Sequence, residues 1–421
     1  QTSLSIGWGS YPSGTGNGTL NLINGTIYCT NRAIYVGAWG STGTLNQSGG
    51  TINAQGLELG RWFNQNATVI VSNGTLNAGY VNIGRTGNNG DTSQGTMTVN
   101  SNGIVNCEGD FVLGLGGSGS SYSTLNINTG GVVNVASTTE RWMYVGQYDA
   151  NNATLNVDGG TLSLNANTDL RFSVGGNTGV GVVNLNSGAI TGGSGSVLAF
   201  NQGNNGLVNN TFNLNGGTLT IGQIVSGGSG GTKVFNLNGG TLKASASSTS
   251  FFAAGVASSA IVQSGGAIID TAGFNIAIGQ DLTDGGGGLT KNGNGTLALN
   301  GANTYSGATV VNAGAIGGSG SIASLVTVNN NAGINLTNGA AGTLTLQGGL
   351  TLTTGNSLTF EAGATADQVA ITGGTYTAPG TAATVNIVAI PGLTPGTYPL
   401  ITGASGISLS SFTLATTPPA G

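Results

Sequence analysis

One short pattern returns along most of the chain and restricts what this chain can fold into. The segment GTLNLINGTI at Gly18 recurs as GTLNQSGGTI at Gly43 and as ATLNVDGGTL at Ala153. Successive copies begin about 23–30 residues apart. Such self-similarity is typical of repeat architectures, in which each repeat buries its apolar face against the next one. Ten residues mark the same expected core position in successive copies: Leu20, Leu45, Val69, Met97, Leu125, Leu155, Val183, Phe212, Phe235 and Ile261.

Each repeat contains the signals of three short strands. The first strand alternates apolar and polar residues, the second follows an Asn-Gly or Gly-Gly turn, and the third has the signature apolar-x-apolar-Gly. Glycine adopts positive φ at no steric cost, so it bends the chain between strands. Three strands per repeat predict an all-β parallel β-helix with coils ~4.8 Å apart. An antiparallel sandwich is the alternative. The third-strand copies are Ile34–Gly37, Leu57–Gly60, Val81–Gly84, Phe111–Gly114, Met143–Gly146 and Phe172–Gly175.

The two cysteines test the register of this repeat. Cys29 and Cys107 each lie five residues after an asparagine of the turn, Asn24 and Asn102, in the first and fourth coils. The alternation points both thiols into the core, where cysteine behaves as a small hydrophobic residue. Three coil steps separate them by about 14 Å, beyond the ~7 Å Cα limit of a disulfide. We therefore predict two free, buried thiols.

Composition excludes several classes of function. Charged residues make up 5% of the chain, and 8 basic against 13 acidic residues give a net charge of −5. This argues against nucleic acid as a partner, because phosphate binding needs clustered Lys and Arg. There is no histidine, so the commonest general base and metal ligand is missing. We expect no cofactor, no metal and no membrane span, since no apolar run approaches the ~20 residues that a bilayer requires.

The stretch GGLTKNGNGTLALNGANTYSGATVVNAGAI, from Gly287 to Ile316, resembles the autotransporter-associated β-strand repeat. The parts that carry the resemblance are Gly-Leu-Thr-Lys, Gly-Thr-Leu, Asn-Thr-Tyr-Ser-Gly and Val-Asn-Ala-Gly. That repeat occurs in passenger regions of large bacterial surface proteins. The resemblance implies a secreted, right-handed β-helix displayed outside the cell. It implies no activity, because such passengers include adhesins, enzymes and inert stalks.

Three regions follow from these patterns. Residues 1–286 are predicted to form a β-solenoid of about ten coils, and residues 287–374 a continued solenoid with the resembling repeat. Residues 375–421 hold most of the prolines, which interrupt ladder hydrogen bonds. We expect a less regular C-terminal cap or connector there.

The first residues suggest an assembly end. Leu4, Ile6 and Gly7 already have the third-strand signature, so the chain is expected to begin within a coil, with Trp8 beside it. An incomplete coil exposes unpaired backbone groups that invite a second chain. We therefore expect a homopolymer of head-to-tail copies, which grows as a filament because the contact is heterologous. A fraying end, or removal of upstream residues, is the alternative.

Tryptophans are concentrated near the start of the chain. Trp8, Trp39 and Trp62 are the candidate contacts with a glycan or a partner, because exposed indole rings suit sugar faces. Trp39 and Trp62 each follow the third-strand glycine by two residues and should stack. The alternative is a self-stacking corner that stabilises the fold. Arg61 and Arg85 also occupy matching places, and we expect Glu58 or a partner chain to offset their like charges.

Acidic residues are the remaining candidates for chemistry. Glu108, Asp110, Glu140 and Arg141 form the densest charged group. The group could form a glycan-cleaving or calcium site, but we favour solvated charge or a surface ion pair. We expect no catalytic residue and no enzyme. The preferred function is a structural subunit of an extracellular fibre or cell-surface layer. A glycan-binding adhesin is the alternative, and a polysaccharide-acting enzyme is the third possibility.

Overall fold

The fold is known from a computed structural model, which describes residues 3–9, 16–63, 65–87, 91–116, 119–136, 142–147, 151–165, 167–172, 178–201, 207–228, 230–403 and 405–415. These ranges contain no α-helix. Their strands stack in parallel as a β-solenoid of about 14 turns with three strands per coil, which confirms the predicted fold class. The chain divides into two compact units, residues 1–235 and 236–421. The handedness and the three predicted regions stay predictions.

Three ladders of parallel strands build the first unit. The first ladder consists of Asn17–Leu22, Thr42–Gln47, Gln65–Val71, Thr92–Val99, Ser120–Asn128, the start of Asn151–Leu164, the start of Thr178–Thr191, and Leu207–Leu214. The second consists of the start of Thr26–Ala38, the start of Thr51–Arg61, Thr75–Ala78, Ile104–Cys107, Val132–Val135, the ends of Asn151–Leu164 and Thr178–Thr191, and Thr218–Ile221. The third consists of Leu4–Trp8, the ends of Thr26–Ala38 and Thr51–Arg61, Val81–Arg85, Phe111–Leu115, Trp142–Val145, Asp169–Phe172, Val197–Phe200 and Gln223–Ser226.

The predicted vertical alignment of core residues is confirmed along the first ladder. Leu20 pairs with Leu45, and the series continues step by step to Val183 and Phe212. Most of these side chains are fully buried, and the rings of Phe212 and Phe235 stack 5.2 Å apart. Parallel stacking makes equivalent residues neighbours, so each apolar side chain covers the one in the coil before it.

The second ladder carries both cysteines in register. Cys29 pairs with Ala54, Ala54 with Ala78, and Ala78 with Cys107. Both thiols are free, as predicted. Cys107 is 1% exposed, whereas Cys29 is only partly buried. Cys29 lies in the first strand of this ladder, and among the described residues only Ala54 covers it. The prediction was therefore wrong for the burial of Cys29.

Side-chain amides form their own ladders on the outside of the first two faces. Asn106 donates to Asn77 and accepts from Asn134, both at 2.8 Å. On the first face Asn156 and Asn184 continue the same pattern at 2.8 Å. An amide carries both donor and acceptor, so one residue type repeated at each coil satisfies itself along the stack. The predicted outward ladders are confirmed.

The second unit uses the same strand positions. Its first position holds Ser259–Gln263 and Leu282–Gly285, followed by the parallel sheet Ala302–Asn303, Ser321–Ile322, Thr343–Leu346, Gln368–Ile371 and Ile401–Thr402. Its second ladder is Thr241–Ala244, Ala267–Asp270, Leu289–Asn292, Thr309–Val311, Val326–Val328, Gly349–Leu352 and Thr375–Thr377. Its third is Ser248–Phe252, Ile276–Ile278, Thr296–Leu299, Ala315–Gly317, Gly333–Asn335, Ser357–Ala362, Ala383–Ala389 and Phe412–Leu414, with a 3₁₀ turn at Leu409–Ser411. Ladder pairing thus extends into the proline-containing region beyond residue 375.

Two predicted registers were wrong. Ile261 is partly exposed, while Ala260 and Val262 on either side of it are buried. In the third ladder Met143 pairs with Leu170 rather than with Phe172. The first error falls in an uninterrupted apolar run, and the second in the alternating segment Leu170-Arg171-Phe172, where the signature fits at two registers.

Candidate functional site

The outward face of the third ladder in the first unit, here called the third-strand face, differs chemically from the other two. Instead of asparagine and threonine ladders, it presents aromatic, ionisable and apolar residues. Several are nearly buried: Glu58 is 2%, Asn82 7% and Val112 3% exposed. Neighbouring segments of the chain therefore cover this face and give it walls. The aligned outward residues are Tyr35, Glu58, Asn82, Val112, Tyr144 and Arg171.

The glycine of the third-strand signature sets the shape of one wall. Gly60 has a φ of +63°, and a Cβ there would lie 2.6 Å from the carbonyl oxygen of Gln94. Two residues after this type of glycine, Trp39 and Trp62 have φ values of 58° and 61°. Bulky residues rarely occupy this region of backbone space. Such strain persists where the surroundings impose it and is concentrated at functional sites.

A buried carboxylate holds the centre of this face together. Glu58 contacts Arg61 Nε at 3.1 Å and Arg85 Nη1 at 3.2 Å. The hydroxyl of Tyr80 donates to Glu58 Oε1 at 3.1 Å. Burial, and then the charge of Glu58, raise the pKa of Tyr80 to about 12. Arg61 and Arg85 do pair in register, and Glu58 offsets them as expected.

The three N-terminal tryptophans form one cluster at the end of this face. Trp39 lies 6.4 Å from Trp8 and 4.9 Å from Trp62, between ring centroids, with tilts of 55° and 56°. The guanidinium of Arg61 sits 3.6 Å from the centroid of Trp62. Trp8 is 50% exposed, whereas Trp39 and Trp62 are partly buried. The rings are neighbours, as predicted, but they are tilted against one another and do not form a flat platform. Contact with a glycan or partner stays a prediction.

The proposed assembly end is the strand Leu4–Trp8. It pairs in parallel with Thr26–Ala38, where Leu4 meets Ile34 and Trp8 meets Ala38. Ile6 is 5% exposed and belongs to the core. Among the described residues no strand pairs with the opposite edge of Leu4–Trp8.

A cavity of about 420 Å³ opens on the third-strand face and spans three coils. Its floor is formed by Asn82 and Val112, which are aligned outward residues. One wall comes from residues before the strands and the other from residues after them. The lining is Gly79, Tyr80, Asn82, Arg85, Gly109, Asp110, Val112, Leu115 and Gln147.

The second unit has its own cavity over its third ladder, of about 330 Å³. Alanine residues 277 and 298 are among the residues that line it, together with uncharged residues such as Asn275, Asn300 and Asn335. It therefore contains neither the aromatic rings nor the ionisable groups of the first cavity.

The acidic group predicted from the sequence is only partly described. Glu140 and Arg141 lie outside the described residues. Asp110 Oδ1 accepts a hydrogen bond from the backbone nitrogen of Trp142 at 3.2 Å, and Glu108 is exposed. In the part of the chain that the structure describes, no group of three or more His, Cys, Asp or Glu residues is arranged to hold a metal ion.

The segment that resembles a passenger repeat places two of its polar residues, Lys291 and Tyr305, inside the second unit. Lys291 is fully buried, and its Nζ lies within hydrogen-bond distance of four oxygens, which its three N–H groups share: Thr271 Oγ1 and the backbone oxygens of Asn292, Gly293 and Ala313. Burial lowers the pKa of Lys291 to about 8. Tyr305 is also fully buried and shares a hydrogen bond with Thr309 at 2.7 Å. These two motif residues therefore belong to the hydrogen-bonded interior of the second unit.

Comparison with known proteins agrees with this description. No curated protein matches the chain significantly. Within the described ranges no helix is long and apolar enough to cross a membrane. Residues 289–316 match the family model described as Passenger-associated-transport-repeat. On a parallel β-solenoid, this match indicates a passenger-type surface or secreted protein. The predicted resemblance is thereby confirmed for this segment, which is similar to the passenger-associated transport repeat.

Proposed function

We propose that this chain is a structural subunit of an extracellular fibre or surface layer and performs no catalysis. The observation that carries the proposal is the pair of continuous ladders, apolar inside and amide outside, typified by Leu125 and Asn106. Such ladders resist local opening, because each coil is hydrogen-bonded to two others. With only 5% charged residues, little electrostatic repulsion opposes packing between copies.

Head-to-tail assembly would use the edge of Leu4–Trp8 that no described strand pairs. Two observations support this edge as the contact. The ring of Trp8 is half exposed, and no described strand pairs with the backbone groups of this edge. A second copy that added a coil there would bury Leu4 and Trp8 together.

Electron microscopy and light scattering of the purified protein test this assembly. We expect oligomers or filaments that the Trp8→Glu variant loses, because a buried carboxylate lacks a partner at the new contact. Tyr122→Glu is the matched control, since Tyr122 is 48% exposed in the middle of the stack. A monodisperse monomer of the unsubstituted protein at high concentration would contradict the proposal.

A glycan-binding adhesin is the second candidate. The observation that favours it is the concentration of aromatic and ionisable residues on the third-strand face, beside two faces that carry mainly amides and hydroxyls. Aromatic rings with nearby polar groups suit the mixed apolar and hydroxylated surface of a sugar. A screen of immobilised glycans with the unsubstituted protein and with Trp8→Ala tests it. Loss of binding in the variant supports a role for Trp8, and absence of any binding contradicts the adhesin.

A further inference from the structure

We propose that the 420 Å³ cavity on the third-strand face binds a neutral saccharide. This inference rests on the second candidate function, and it locates the ligand in the cavity rather than on the tryptophans. The cavity has the size of a small-ligand site, and such sites combine apolar lining with a few polar groups that fix orientation.

The floor of the cavity contains a polar group that the protein leaves unsatisfied. Asn82 is 7% exposed, and its side-chain amide has no hydrogen-bond partner among the described residues. Its counterparts in the adjacent coils are Glu58, which binds two arginines, and Val112, which needs no partner. The accessible part of this amide opens into the cavity, so a ligand seated there can supply hydrogen bonds that the protein itself does not make.

The walls of the cavity add hydrogen-bond donors and acceptors near Asn82. Arg85 is 34% exposed and gives one of its five N–H groups to Glu58, which leaves others facing solvent. The side-chain amide of Gln147 makes no hydrogen bond within the described residues. The carboxylate of Asp110 lies on the same rim as Tyr80. A hydroxyl group both donates and accepts, so a sugar ring can pair with Asn82, Arg85 and Gln147.

Charge and shape select the class of ligand. The lining contains one cation, Arg85, and one anion, Asp110, so neither a polyanion nor a polycation is favoured. Val112, Leu115 and the ring of Tyr80 offer apolar surface for the C–H face of a pyranose. An extended peptide is disfavoured, because the strands beneath the cavity already pair on both edges and leave no backbone groups for it.

The test measures binding of the full chain to immobilised neutral hexasaccharides of glucose, mannose and galactose, with oligogalacturonate as the acidic comparison. Asn82→Val copies the residue of the next coil and should fold normally. We expect it to weaken binding at least tenfold, and Gln147→Ala to weaken it several-fold. Asn106→Val, in the outward amide ladder of the next coil, is the matched control and should stay within about twofold.

The outcomes separate the cavity from the broader function. Unchanged binding in both cavity variants overturns the cavity site, and if Trp8→Ala alone abolishes binding the adhesin function survives at the tryptophans. Stronger binding of oligogalacturonate than of every neutral probe overturns the neutral class. Failure of the unsubstituted protein to bind any probe overturns both the site and the adhesin. Thermal unfolding of each variant shows whether lost binding reflects lost folding.

Discussion

Two cysteines at equivalent positions of different coils have unequal surroundings. Cys107 is covered by Ala78 on one side and Val135 on the other, whereas Cys29 is covered by Ala54 alone among the described residues. Burial raises the pKa of Cys107 to about 12, so almost no thiolate is present at neutral pH. Position in the stack, and not residue type, therefore decides the reactivity of these thiols.

We predict that iodoacetamide at pH 8 labels Cys29 while Cys107 stays unmodified, because the thiolate is the nucleophile. Peptide mass spectrometry after a short reaction measures both sites. In denaturant both should be labelled at similar rates. Equal labelling of the two sites in the folded protein would show that Cys107 is less enclosed than the structure indicates.

Alkaline stability should depend on Tyr80. Its pKa is raised from 10.0 to about 12 in the folded state by burial and by Glu58. A raised folded-state pKa stabilises the fold below pH 10, and that contribution is lost as the pH rises towards 12, since the unfolded chain then releases the proton first. We expect the melting temperature of Tyr80→Phe to fall less than that of the unsubstituted protein between pH 9 and pH 11. Tyr122→Phe, at an exposed position, should behave like the unsubstituted protein.

At the scale of single elements, glycines with positive φ differ in how closely other atoms approach them. Gly60 and Gly25 share a positive φ, but only Gly60 has backbone atoms close to where a Cβ would lie. Gly25 has open space around it. A substitution at Gly25 therefore tests the cost of the backbone conformation alone, whereas one at Gly60 adds the cost of a steric clash.

We predict that Gly25→Ala costs about 1–2 kcal/mol, the usual price of a left-handed conformation for a residue with a Cβ. Gly60→Ala should cost clearly more, because its Cβ would lie 2.6 Å from a carbonyl oxygen and must displace the neighbouring strand. Urea unfolding of both variants measures the difference. Equal losses would mean that the third strand yields easily to the added methyl group.

Elements with a strict polar–apolar alternation were predictable, and uninterrupted apolar runs were not. The first ladder follows from the sequence because Asn21, Asn46 and Asn126 mark its outward side. In the run Ala260-Ile261-Val262 no polar residue marks a side, so the prediction chose the wrong face. The errors come from local ambiguity in the pattern and not from the fold class.

The candidate site was less predictable than the ladders. Sequence reasoning found Trp39, Trp62 and the match of Arg61 with Arg85, all of which follow from one repeated glycine. It missed Asn82 and the cavity, because the depth of a cavity depends on the segments that flank the strands, and these vary in length between repeats. One signal was available in the sequence. The outward residue of the third strand changes from the charged Glu58 to the neutral Asn82 in the next coil, whereas the outward asparagines of the other strands repeat.

At the scale of the whole molecule, each coil is stabilised mainly by the coils next to it. We predict that Leu155→Ala, which empties a fully buried position between Leu125 and Val183, costs about 2–5 kcal/mol. Amide hydrogen exchange should accelerate in those adjoining coils, while the coil that contains Leu45 exchanges as before. If amide exchange accelerated evenly throughout the first unit, that unit would instead unfold as one cooperative unit.

The repeated register has a consequence for how such a chain changes its length. Leu20, Leu45 and Val69 occupy equivalent places in successive coils. The strand edges of one coil therefore pair in the same register with those of the next. Duplication or deletion of a stretch of coding sequence that encodes one complete coil therefore leaves the remaining coils in register and alters only the reach of the molecule. The length of the stack of coils then differs between variants by ~4.8 Å for each coil gained or lost.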